Sequence, residues 1–182
     1  MSCKAWPAPF RMHPGEVMST SAHTLSVEKI WSLLDKVVDP EIPVVSLVEM
    51  GIIRAVDVRE AEVRVTMTPT FSGCPALDVM QSDIVQKLTD AGAQAVRVVQ
   101  QLDPPWSSDW ITESARAKLK AIGLAPPHIH GGEFITVLID PIACPYCDST
   151  NTTLKNSFGP TPCRMIYYCN QCQQPFEQFK PL

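Results

Sequence analysis

The sequence contains no run of about eighteen apolar residues, so no segment reads as a membrane-spanning helix. Its opening stretch, MSCKAWPAPFRMHPGEVMSTSAH, lacks an apolar core of signal-peptide length, and a cytoplasmic location is expected. A large charge excess is missing too. The 15 Lys and Arg face 19 Asp and Glu, a formal net charge of −4, which excludes nucleic-acid binding by bulk electrostatics. No Gly-rich phosphate loop, nucleophile–histidine motif or three-ligand catalytic zinc pattern occurs, which argues against a stand-alone enzyme of those classes. Internal repeats and low-complexity tracts are also lacking.

The remaining composition is that of a globular chain. Its 182 residues are 45% hydrophobic and 19% charged, enough for one ordinary domain and a small appendage. Seven cysteines are present, four of them in two C-x-x-C pairs, which in a reducing compartment favours metal over disulfides.

Residues 1–24 carry prolines and small polar residues without periodicity and read as a flexible extension, with Cys3 an incidental thiol. From Ser26, a plausible N-cap, Val27, Ile30, Trp31, Leu34 and Val37 follow helical spacing up to a stop at Pro40. DPEIPVVSLVEMG (Asp39–Gly51) reads as a proline-punctuated loop. Alternating residues predict a hairpin from Ile52–Val58 and Glu62–Thr68. A helix over Pro75–Ala91, a strand over Ala95–Leu102 and a helix over Ser108–Ile122 follow. The order predicts an α+β fold over residues 25–123: a small α/β sandwich, a sheet with helices on one face. Residues 124–140 read as a linker, with His128 and His130 solvated, and a connecting strand at Phe134–Ile139.

Residues 141–182 hold five of the seven cysteines and are too short to build a core without a staple. Cys144-Pro-Tyr-Cys147 and Cys169-Asn-Gln-Cys172 place four thiolates where one tetrahedral ion fits, the pattern of a zinc ribbon. Zinc that only folds the module is the simplest reading; thiolates also bind iron. Cys163 is surplus to a four-thiolate site, as a bland thiol, a substitute ligand or a reactive one. From Cys144 onward, Lys155, Arg164 and Lys180 oppose Asp148 and Glu177, a net of about +1 that favours protein over nucleic-acid contact.

Cys74 stands apart, in TPTFSGCPAL, with Pro75 placed as the first residue of a helix. Unpaired N–H groups and the helix dipole there are expected to favour thiolate and lower its pKa. Thr68, Thr70 and Ser72 add hydroxyls nearby. The bland alternative is a small buried cap. Asp39 and Glu41 are a paired-carboxylate candidate, although alone such residues are more often a helix-stop and turn device.

DPEIPVVSLVEMGIIRAVDV followed by VTMTPTFSGCPAL resembles the metal–sulfur cluster assembly domain of the SufT-like family. With DPPWSSDWITESARAKLKAIGLAPP and the cysteine-rich tail, nearly everything after residue 24 resembles a family of phenylacetate-degradation accessory proteins. The resemblance implies an accessory role for the iron-dependent phenylacetyl-CoA ring-1,2-epoxidase. Cys74 would be a reactive thiolate or transient ligand of iron or an iron–sulfur cluster, with Asp39, Glu41, Thr68 and Thr70 around it. Structural zinc would sit on Cys144, Cys147, Cys169 and Cys172, with Cys163 an extra or alternative ligand. Implied partners are subunits of the epoxidase complex or its reductase, and further copies of the chain in a homo-oligomer, with no nucleic acid and no membrane. The alternative is a stoichiometric, non-catalytic oxygenase subunit with structural zinc only.

Overall fold

The computed structural model describes residues 25–59, 62–131 and 141–182. The extension with Cys3, the turn residues Glu60 and Ala61 and the strand expected at Phe134–Ile139 lie outside them. Ser26 starts helix α1 (Val27–Leu34) by accepting the Lys29 N–H on its hydroxyl at 3.2 Å. Ile30 and Leu34, one turn apart, are wholly buried. The helix ends well before Pro40. The expected loop is then a small hairpin, β1 (Val38–Asp39) antiparallel to β2 (Ile42–Ser46). Asp39 builds its turn by accepting the N–H groups of Glu41 (2.8 Å) and Ile42 (3.2 Å) on one carboxylate oxygen.

The predicted hairpin is present as β3 (Ile53–Arg59) and β4 (Glu62–Met67), whose inward Val63, Val65 and Met67 alternate with outward residues. Helix α2 (Leu77–Asp90) crosses over to β5 (Ala95–Gln100), which pairs parallel with β4 and completes a sheet of order β3-β4-β5. Met80, Ile84 and Leu88 bury the inner face of α2, and α1 packs against both α2 and β3. In place of one helix over 108–122 stand a 3₁₀ turn (Ser108–Trp110) and α3 (Glu113–Ala121), which Thr112 caps through the Ala115 N–H.

Beyond Gly123 the chain does not run free. Strand β6 (Leu124–Ala125) pairs parallel with β9 (Pro175–Phe179) in a sheet of order β6-β9-β8-β7, with β7 spanning Thr152–Asn156 and β8 Arg164–Cys169. The stretch read as linker therefore begins as a strand of the ribbon sheet. Arg116 secures it: its buried guanidinium donates to the carbonyl oxygens of Pro127, Ser108 and Ile111. His130, expected to be solvated, is buried, with its ring 3.1 Å from the Leu182 carbonyl oxygen and its N–H donated to Asp109. His128 is exposed as expected.

Two apolar clusters form. The ribbon's own contains Ala125, Ile142, Cys144, Cys169 and Phe176. The larger one fills the first domain, yet it includes Cys163 and Phe179 from the tail. Phe179 is 1% exposed and meets Trp106 with ring centroids 5.7 Å apart. Among the described residues no helix is long and apolar enough to cross a membrane.

Candidate functional site

Cys144 and Cys147 lie on one tight turn of the ribbon and Cys169 and Cys172 on another, at the end of β8. The turns are closed by backbone bonds from Asp148 N to Cys144 O (2.9 Å) and from Gln173 N to Cys169 O (2.9 Å). Asp148 and Gln173 both adopt positive φ, which curls each knuckle round its sulfurs. All four Sγ atoms lie within 4.8 Å of one another, with Cys144–Cys172 at 3.7 Å and Cys147–Cys169 at 3.6 Å. Zinc–sulfur bonds of about 2.3 Å place the sulfurs of a tetrahedral site about 3.8 Å apart, so the cluster fits Zn²⁺ as it stands. The Cys172 N–H and neighbouring groups hold Cys169 down to about 7, whereas burial and the adjoining thiols push Cys172 up to about 12. Four thiolates cannot share this space without a cation to compensate them.

Cys74 is elsewhere, half-buried against the core of the first domain. The expected capping geometry is displaced by two residues. Helix α2 begins at Leu77 with Ala76 in the N-cap position, and Cys74 belongs to the preceding turn, where its carbonyl oxygen accepts the Leu77 N–H at 3.2 Å. Its thiol is accordingly not acidified. Burial pushes it above the ordinary value, and the Glu41 and Asp39 carboxylates and the Cys163 sulfur add to the rise against an opposing Ala76 N–H.

The groups whose charges bear on Cys74, namely Glu41, Asp39 and Cys163, come from different parts of the chain. Asp39 and Glu41 arrive on the β1–β2 turn, Cys74 on the loop before α2, and Cys163 on the ribbon segment before β8. Burial also raises Asp39 and Cys163, while the Arg164 guanidinium opposes both rises. Arg164 donates through Nη2 to the Glu41 carbonyl oxygen and through Nη1 to the Glu177 carboxylate, each at 2.9 Å. The two threonines stand further back. Thr68 is buried, with its N–H on the Ile52 carbonyl oxygen at 2.8 Å, and Thr70 is half-buried. Among the described residues no hydrogen bond joins either hydroxyl to Cys74.

The structure thus separates a closed four-thiol centre from a second locale around Cys74, whose electrostatic surroundings include Asp39, Glu41 and Cys163. Sequence reading had no means of placing Arg164 in the second; its one cue was a lone arginine beside a surplus cysteine in a tail with little charge.

Residues 27–100 match the family model described as iron–sulfur cluster assembly protein, and residues 137–180 the one described as PaaD zinc beta ribbon domain. An Escherichia coli (strain K12) protein, provisionally named as a subunit of 1,2-phenylacetyl-CoA epoxidase, is 40% identical over 154 residues, 85% of this chain and 92% of that one. A protein of Porphyromonas gingivalis named Fe-S protein maturation auxiliary factor is 37% identical over 94 residues, 50% of this chain and 89% of its own. Among solved structures, a domain of unknown function (DUF59) from Bacillus anthracis is 29% identical with a TM-score of 0.47, covering 50% of this chain and 89% of that one.

Proposed function

The chain belongs to the PaaD family of phenylacetyl-CoA epoxidase proteins, an iron–sulfur assembly domain joined to a zinc ribbon, and from that premise we propose that it is a maturation factor for the epoxidase. Cys74 takes up iron or an iron–sulfur cluster as cargo, and the ribbon, its zinc confined to folding, docks the client protein.

The observation that carries this reading is the setting of Cys74. It is a half-exposed thiol with carboxylates of Asp39 and Glu41 in its field, outside the zinc cluster and without a partner histidine for hydrolytic chemistry among its electrostatic neighbours. Anionic donors facing a neutral thiol attract a cation; when it binds, the thiol releases its proton and becomes a ligand. A thiol that stays protonated until cargo arrives suits transient holding better than permanent storage.

The test is a strain whose only copy carries Cys74→Ser. The protein should accumulate folded and zinc-loaded while the epoxidase stays inactive and iron-deficient. Full epoxidase activity in that strain sinks the proposal. The name of the E. coli relative favours a second reading, a stoichiometric component of the oxygenase with structural zinc only. It requires the protein in a purified turnover assay with oxygenase already loaded with iron, and fails if turnover is complete without it.

A further inference from the structure

We propose that the cleft between the first domain and the ribbon is the client-docking site, and that it takes a short client segment in which an aromatic or aliphatic side chain stands next to Lys or Arg. The inference rests on the maturation reading given above and deepens it by naming the surface and the chemistry it selects.

The cleft has a volume of about 430 Å³, and neither domain forms it alone. Strand β2 supplies Ile42 and Pro43, and Ile122 follows from the end of α3. The ribbon supplies Tyr146 from its first knuckle, Ile166 from β8 and Phe176 from β9. Ile42 and Phe176 are buried, whereas Ile122 is 51% and Tyr146 58% exposed. Single exposed apolar side chains are ordinary on a protein surface; several that converge on one concavity mark a place where something else is bound. Tyr146 is held at this place from two sides. It stands between the zinc ligands Cys144 and Cys147, and its phenol lies against Gly123, where a Cβ would meet the Tyr146 oxygen at 2.6 Å. Only a glycine lets the ring approach the end of α3 so closely.

The charges select the occupant. Glu41, Arg164 and Glu177 are the charged residues of the lining, two carboxylates against one guanidinium. Arg164 is engaged within the protein, on the Glu177 carboxylate through Nη1 and on the Glu41 carbonyl oxygen through Nη2. Among the described residues no hydrogen bond or ion pair engages the half-buried Glu41 carboxylate. A segment complementary to such a cavity fills it with an apolar side chain and brings a cation to Glu41. A second copy of the chain is a poorer match. Its net charge is −4, and a stable dimer needs about 800 Å² from each partner, whereas a cavity of this volume is of the size that encloses a few side chains.

The experiment uses the full chain, zinc-loaded, and overlapping peptides that tile the oxygenase subunits and the reductase, with affinities measured by fluorescence anisotropy. The peptides that bind should carry an aromatic or aliphatic residue next to Lys or Arg. Ile122→Lys should weaken them by about tenfold or more, with zinc content and far-UV dichroism unchanged. Glu41→Gln should weaken them less and flatten the salt dependence of binding. Leu154→Ala, at an exposed apolar residue outside the cleft, should leave affinity unchanged. No binding by any peptide, a preference for acidic peptides, or equal affinity in Ile122→Lys overturns the inference. Self-association in sedimentation velocity that Ile122→Lys abolishes would give the cleft to a second copy and overturn it as well. So would binding seen only after Trp6→Ala and Phe10→Ala, which would give the cleft to the chain's own first residues. Each of these results leaves the Cys74 reading standing, since that reading fails separately, on full epoxidase activity in the Cys74→Ser strain.

Discussion

Arg164 Nη2 donates to the carbonyl oxygen of Glu41 across 2.9 Å, joining residues 123 positions apart in the chain. The bond ties the ribbon to the hairpin that carries Asp39 and Glu41, while the other arm of the same guanidinium is anchored on Glu177 of β9. A planar fork is needed to reach two acceptors at once.

Arg164→Met should therefore cost about 2–4 kcal/mol of stability in denaturant titration, with Arg164→Lys recovering little of it. Its removal should also raise the pKa values of Asp39 and Cys163, because its charge now opposes their burial. Unchanged denaturation midpoints in both variants would contradict the fork.

Cys74 should become more reactive when its acidic neighbours are neutralised. Burial, Glu41 and Asp39 raise the thiol, so Glu41→Gln or Asp39→Asn lowers its pKa and increases the thiolate fraction near neutrality. Iodoacetamide labelling of zinc-loaded protein at pH 7 should speed up about threefold for each half unit of the fall. Labelling rates are read against a Cys74→Ser control, and slower labelling in either variant would reverse the assigned sign.

Zinc should stabilise the first domain as well as the ribbon. Trp31, Trp106 and Trp110 belong to the first domain and no tryptophan lies in the ribbon, so fluorescence follows the melting of the first domain. Free zinc at about a hundred times its dissociation constant adds about 2.7 kcal/mol to a coupled fold, or about 5–10 °C in a chain of this size. Chelation should lower the tryptophan-monitored Tm by that amount, and an unchanged Tm would show that the two domains melt independently.

Phe179→Ala offers a direct test of the shared core. The ring is 1% exposed and packs on Trp106, so its loss should cost about 3–5 kcal/mol by tryptophan-monitored unfolding while about one zinc per chain is retained. Leu154→Ala, at a side chain 46% exposed on β7, should change stability by less than about 0.5 kcal/mol.

Local signals carried the sequence reading a long way. Helical spacing at Ile30–Leu34 and Met80–Ile84–Leu88, alternation in β3 and β4 and the two C-x-x-C knuckles all depend on neighbours within a few residues, and each is present as expected. Where the reading diverged, long-range contacts decided. Leu124–Ala125 carries no strand signal of its own and becomes a strand because β9 lies alongside it. His130 is buried by Leu182 and Asp109, neither of them near it in sequence. The sequence suggested that α2 starts at Pro75 with Cys74 as its cap, but the helix begins at Leu77 and the dipole argument for an acidic thiol fails with the shift. Cys163 was left open between a bland, a substitute-ligand and a reactive role because spacing counts ligands within a module and cannot reveal that this cysteine packs into the other domain's core.

The parallel pairing of β6 with β9 also bears on how the chain reaches its native state. Leu124 must find Glu177, and Ala125 must find Gln178, across the whole length of the ribbon. Contacts so distant in sequence form late, after local helices and hairpins have been sampled many times. During synthesis the first domain leaves the ribosome with the places of Phe179 and Cys163 in its core still empty. Only when β9 has been laid down is that core complete. The order of folding therefore makes the first domain's core wait for the ribbon that closes it.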